Sequence, residues 1–153
     1  MPQSTVPAVL TNLVTLFTAN APAGVPVSLG STPGGDIPAD YVTVGWAGDD
    51  LPSVDGRSRP TELGNPGQVA AESYVVWCSV STSSGDELAA ARIARTDAIF
   101  QALVAALRGN RTLMGALTPP GMADVGSFQW TIEEGGQVAT VYFQVDVDAG
   151  WVM

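Results

Sequence analysis

The sequence has no histidine, no lysine, one cysteine, and no apolar run long enough to span a membrane. Each absence excludes something. Without histidine, the commonest general acid–base and the commonest metal ligand are missing. A Ser-His-Asp or Cys-His catalytic arrangement is impossible. Cys78 alone cannot form an intramolecular disulfide, so the chain needs no oxidising compartment. It lies in a strand-like run and reads as a small core or sheet residue. A membrane-spanning helix needs about 20 consecutive apolar residues. The run from Val6 to Phe17, followed by Ala19-Asn20-Ala21, loosely mimics a signal peptide. However, residues 1–20 carry no positive charge, and Thr11, Asn12 and Thr15 interrupt the run. The reading is a helix in a soluble protein made in the cytoplasm.

Charge is also scarce. Charged residues make up 14% of the chain and apolar residues 46%, against about 25% charged in a typical globular domain. Such a chain either hides surface against other subunits or is a monomer with a Ser/Thr/Gly-rich surface. The net charge is −9, from fifteen acids and six arginines. That balance argues against a nucleic-acid reader, which needs basic side chains to displace counterions from phosphates. It is compatible with a wall that DNA slides past without sticking.

The length of 153 residues predicts one domain, residues 1–153. Residues 5–20 read as an amphipathic helix, with Val6, Val9, Leu10, Leu13, Leu16 and Phe17 on one side and Pro7 in the first turn. Val25 to Leu29 is a short extended piece. Tyr41 to Trp46 alternates as a strand. From Ala47 to about residue 70 the chain is rich in Asp, Gly, Pro and Ser without periodicity, a long loop of the functional kind. Residues 71–81 form a second strand, apolar on both faces and so central or covered twice. Ser84-Gly85-Asp86-Glu87 is a capping box for a helix over 86–108. Its apolar stripe runs through Ala89, Ile93, Phe100, Leu103 and Leu107, with Arg92 and Arg95 outside it. Residues 110–124 form a connection. Phe128, Trp130 and Ile132 then alternate with polar residues, Gly135-Gly136 signals a hairpin, and Val141, Phe143, Val145 and Val147 mark one face of the last strand. The expected fold is α+β: a two-layer sandwich of a mainly antiparallel four-stranded sheet with both helices packed on it, in the order α-β-β-α-β-β with room for one small extra strand.

Motifs for chemistry are weak. Asp146-Val147-Asp148-Ala149-Gly150 resembles the start of a calcium loop, but its glycine is fifth rather than sixth and the chain ends before a twelfth position. Alternating acids on a solvent face explain it better. Asp49, Asp50 and Asp55 offer a carboxylate group for metal or acid–base work, but they sit in a Gly/Pro-rich loop without a recognisable spacing. An enzyme or small-ligand module using them is the alternative from a different class. Ser58 lacks a nucleophile-elbow context, and no glycine pattern matches a phosphate-binding loop. No catalytic, cofactor or metal residue is assigned, and no enzyme activity is expected. Arg57 and Arg59 are the only positive charges in the first 91 residues. They serve either local pairing or an interfacial anchor, a role in which arginine is enriched. Trp46, Trp77, Trp130 and Trp151 are core or interface aromatics, with Trp151 best placed for an exposed contact.

The element order and several short runs resemble the tail terminator, or tail completion, proteins of long-tailed bacteriophages. The resemblance rests on the first helix, the strand Tyr41-Val42-Thr43-Val44-Gly45, the Asp/Gly/Pro loop, Trp77-Cys78-Ser79-Val80-Ser81, the Ala-rich helix Glu87 to Leu107 and a terminal hairpin, over residues 5–148. It implies a virion protein without catalytic residues or cofactor. It implies a homo-hexameric ring that caps the head-proximal end of the tail tube, stops its polymerisation and joins the head or neck. The partners implied are further copies of the chain, the tail-tube protein and a head-closure or neck protein, with genomic DNA passing through the lumen. The docking segment implied is 47–70, and the interface residues expected are Trp46, Asp49, Asp50, Arg57, Arg59 and Trp151. A head-closure or head–tail joining protein is the neighbouring reading, and a tail-tube subunit a further one.

Overall fold

A computed structural model describes residues 4–30, 40–48, 52–60, 70–83, 89–133 and 138–152, with only the backbone described at 57–60, 70–71 and 150–152. Its elements are α1 (Val6–Asn20), β1 (Val27–Leu29), β2 (Asp40–Val44), β3 (Val54–Pro60), β4 (Ala70–Ser83), α2 (Ala89–Arg108), β5 (Met122–Ile132) and β6 (Val138–Val152).

The frame is built on β4 and β6. Their β-branched and aromatic residues favour the pleated conformation, and the two strands pair antiparallel along essentially their whole length. At about 3.3 Å per residue, a 14-residue strand such as β4 is ~46 Å long. The sheet order is β1-β2-β4-β6-β5, with β3 also on β4. β2 and β3 lie end to end along one side of β4, at residues 78–82 and 70–76 respectively. Trp77 bridges the junction: its carbonyl accepts from Gly45 N–H (2.7 Å) and its N–H donates to the Ser53 carbonyl (3.1 Å). β1 joins β2 in parallel, while every other pairing is antiparallel.

One face of the sheet carries both helices. Alternation puts Tyr74, Val76, Cys78 and Val80 of β4 and Val141, Phe143, Val145 and Val147 of β6 in the core. α1 adds Val9, Leu13, Leu16 and Phe17, and α2 adds Ile99, Phe100, Leu103, Val104 and Leu107. Each fully buried side chain of this size contributes about 1.5–3 kcal/mol. The four phenylalanines form a row, Phe17–Phe143–Phe100–Phe128, with centroids 6.2, 5.1 and 5.9 Å apart.

Several expectations are corrected. The sheet is six-stranded and mixed, not four-stranded and antiparallel. β3 occupies part of the segment read as a loop over 47–70. Its sequence, Val54-Asp55-Gly56-Arg57-Ser58-Arg59-Pro60, lacks apolar alternation because backbone bonds to β4 hold it rather than a buried face. β5 begins at Met122, inside the expected connection 110–124. The stripe of α2 is rotated: Arg92 is only 1% exposed, and Thr96 and Ile99 are buried with it. The seam there is polar. Thr82 and Thr96 share a hydroxyl hydrogen bond (2.6 Å), and Arg95 pairs with Asp40 (3.0 Å). A buried arginine is tolerated only in polar company, and Arg92 is so engaged. The capping box at 84–87 and the Gly135-Gly136 turn lie outside the described residues.

Candidate interaction surfaces

Three surfaces stand out, the sheet face opposite the helices and the two edges of the sheet. On the face opposite the helices, near β2, small hydroxyl residues fill the pleat. Thr43, Ser79, Ser81 and Thr140 are buried, with Thr43 bonded to Ser79 and Ser81 bonded to Thr140 (3.0 Å). The Thr43 hydroxyl also donates to the Trp46 carbonyl (2.9 Å), so the turn after β2 is held against this face. Trp46 itself is half-buried.

Toward the other end the same face opens into a concavity of about 840 Å³, lined by Asp55, Ser73, Val75, Asp124, Gln144, Asp146 and Asp148 among others. Burial and then the neighbouring Asp124 carboxylate push the Asp146 carboxyl above its ordinary range. Gly126 explains how Asp146 fits: β5 breaks register between Val125 and Phe128, and a Cβ at Gly126 would run into the Asp146 carboxylate. A bulge glycine thus leaves room for a carboxylate on the neighbouring strand. Arg108 and Arg111 approach Asp124 at 3.5 and 3.8 Å, so the acidity is partly offset at one side. Among the described residues, no group of three acidic or cysteine side chains is arranged to hold a metal ion, and no helix is long and apolar enough to cross a membrane.

The sulfur of Cys78 is fully enclosed, and burial pushes its thiol up to about 12, opposed only by a backbone contact at Gly45. It cannot act as a nucleophile near neutrality. Burial also raises the Tyr74 hydroxyl to about 12, with the Thr5 hydrogen bond lowering it and Glu72 raising it. Neither group is poised for proton transfer.

The edges differ in kind. β5 is an edge strand, and the helix-side face of its second half is apolar and poorly covered. Phe128 is 61% and Ile132 49% exposed, while Trp130 is half-buried. Sequence periodicity assigns these three to one face, the face that carries the helices, but on this edge strand it is only partly covered, with Phe128 still reaching Phe100 of α2. At the opposite edge, Leu29 of β1 is 57% exposed. Sequence reasoning missed Leu29, Phe128 and Ile132 as surface residues because alternation reports the face but not how far the helices extend over it.

Of the expected interface residues, Asp49 and Asp50 lie outside the described residues. Arg57 and Arg59 occupy β3, with backbones paired to Ser73 and Ala71. Trp151 pairs through its backbone with Ala71 at the end of β6. Ala71 is thus flanked by Arg59 on one side and Trp151 on the other, which brings two of the expected residues to one end of the sheet. Trp46 and Arg57 sit further along the same side, at the β2 end and within β3.

No protein-family profile matches the sequence, and a comparison with curated proteins finds no match. Solved structures do match. One is a chain described as "Virion of native gene transfer agent (GTA) particle", with a TM-score of 0.54 and 16% identity, covering 90% of this chain and 84% of that one. At that identity the likeness is one of fold, and it extends to nearly the whole α+β architecture.

Proposed function

We propose that the chain is a virion structural subunit, a tail terminator whose copies form a ring at the head-proximal end of a phage-type tail tube. The observation that carries this reading is the fold shared with a chain of a gene transfer agent virion across 90% of the present sequence. The terminator role draws further support from the order of elements and the runs around Tyr41–Gly45 and Trp77–Ser81. In this reading the ring, of six subunits, stops tube polymerisation, docks the head or neck, and lets genomic DNA through its lumen. It acts by contact and not by catalysis. A net charge of −9 and a surface with four aspartates in one concavity suit a lumen that repels phosphate. The segment 47–70, with Arg57 and Arg59, is the docking element for the tube.

The test is to mix the purified protein with the tail-tube subunit of the same phage-type particle, and to follow oligomers by native mass spectrometry and tubes by electron microscopy. The expected result is a ring of one size on one end of each tube, with growth arrested there. Incorporation along the tube would instead identify a tube subunit. Binding only to portal or adaptor proteins would identify a neck protein. A monomer indifferent to all of them would remove the virion reading.

A further inference from the structure

The two sheet edges match each other. Strand register places Leu29, Val44, Cys78, Phe143 and Phe128 in one row across β1, β2, β4, β6 and β5. The next row on the same face is Val27, Val42, Val80, Val141 and Trp130. The inner members of both rows are buried, and the ends of the first row, Leu29 and Phe128, are the most exposed large apolar side chains described. Each edge therefore carries apolar residues at the same level and on the same face.

The backbone is also prepared. Glu133 N–H donates to the Val138 carbonyl. Antiparallel ladders alternate inward and outward groups, so Phe128, Trp130 and Ile132 turn their N–H and C=O groups to the outer edge. The first half of β5 is covered instead, because Ala123 N–H donates to the Arg111 carbonyl (2.7 Å). On β1, the bonds from Gly30 N–H to Val44 and from Val42 N–H to Pro26 engage the even residues with β2. Val27 and Leu29 therefore turn outward. Among the described residues no strand pairs with either edge. Tracing the pairings across the sheet, β1 and β5 run in opposite directions. A second copy laid alongside in the same orientation thus meets the first as an antiparallel pair.

We infer that the partner of this edge is a second copy of the chain, joined head to tail, with β5 residues 128–132 of one subunit against β1 of the next and Leu29 seated on Phe128 and Trp130. The occupant follows from the match of the two edges in level, face, direction and apolar character. An open strand edge carrying exposed apolar side chains and no charge on that face is otherwise an aggregation hazard. A heterologous contact of this kind closes into a ring or grows into a filament. The inference supplies the subunit interface of the ring proposed above, and rests on that reading for its closure.

The experiment uses Leu29→Asp and Ile132→Asp, both at exposed positions. Wild type should assemble, alone or on tube ends, while each variant stays monomeric with unchanged circular dichroism. Mixed in equal amounts, the variants should form heterodimers and nothing larger, since one intact edge of each remains. Oxidising Leu29→Cys/Phe128→Cys should give a ladder of covalent multimers, with enclosed Cys78 silent. Dimers of Leu29→Asp alone would overturn the head-to-tail inference in favour of β5 pairing with itself. Rings that persist in both Asp variants would overturn the interface but leave the ring reading intact. Wild type that stays monomeric even with tubes would sink both.

Discussion

Glu72 caps helix α1 through Thr5, the residue just before the helix and 67 positions earlier in the chain. Its Oε1 accepts from the Thr5 N–H at 2.9 Å and from the Thr5 hydroxyl at 2.7 Å. The Tyr74 hydroxyl is bonded to the same Thr5 hydroxyl at 2.8 Å. Thr5 makes no side-chain cap of its own, and the first turn of α1 has no acidic residue. A carboxylate from β4 therefore supplies the negative charge that the helix N-terminus favours, and it fastens α1 to the sheet.

From this contact, Glu72→Ala should lower unfolding stability by about 1–2 kcal/mol, the range for a lost cap and charge-assisted hydrogen bonds. Glu72→Gln keeps an acceptor without the charge and should lose less. Chemical denaturation of the three proteins checks the ranking; equal loss for Ala and Gln would point to charge alone.

Gly56 is set by close approach. It stands opposite Tyr74, and a Cβ there would run into the Tyr74 Cβ and lie 2.6 Å from the Ser73 carbonyl oxygen. Backbone cannot yield as a side-chain tip can, so Gly56→Ala should peel β3 from β4 or cost about 1–3 kcal/mol, as overpacking does. Hydrogen exchange at Asp55–Arg57 should quicken in the variant while exchange in β6 residues 141–147 stays slow.

Leu113 and Met114 take positive φ values of 51° and 55°, ahead of Gly115 at 92°. Leu113 is buried, and the Asn12 side chain donates to its carbonyl (2.7 Å), which holds the turn in place. Met114 is half exposed. The left-handed conformation costs a non-glycine residue about 1–2 kcal/mol, offset in part by the chain entropy that glycine loses on folding. Met114→Gly should therefore raise stability by up to about 1 kcal/mol, whereas Leu113→Gly should lower it through lost burial. Thermal melts of the two variants should shift in opposite directions.

What was legible in the residues was periodic. The stripe Val9, Leu13, Leu16 and Phe17 and the alternation Val141 to Val147 each record one face against the core, and both elements lie where expected. The reading fails where backbone bonds do the holding. β3 has glycine, proline and two arginines in seven residues, yet seven register pairs seat it on β4. Arg92 reads as lying outside the apolar stripe Ala89, Ile93, Phe100, Leu103 and Leu107, yet spacing through Thr96, Ile99 and Leu103 puts it on the buried side. The edge residues escaped for a third reason. Phe128 obeys the same period as Phe143, and only the limited reach of α2 leaves one bare and the other enclosed.

Asp146 gives the fold a pH dependence of defined sign. Burial, and then Asp124, raise its carboxyl pKa above the ordinary value, so the folded protein holds the proton more tightly than the unfolded chain. Stability rises with pH only where the unfolded state binds more protons, and here the folded state does. The contribution of Asp146 is therefore fully present below the ordinary aspartate range and is lost as pH rises through the raised value. Asp146→Asn removes the ionisation while keeping the size of the side chain. Its melting temperature should exceed that of wild type at pH 7, and the gap should close as the medium is acidified through the carboxylate range. Asp124→Asn should narrow the same gap, because it removes the second cause of the shift. A gap that stays constant with pH would mean that packing against Gly126, not charge, governs the site.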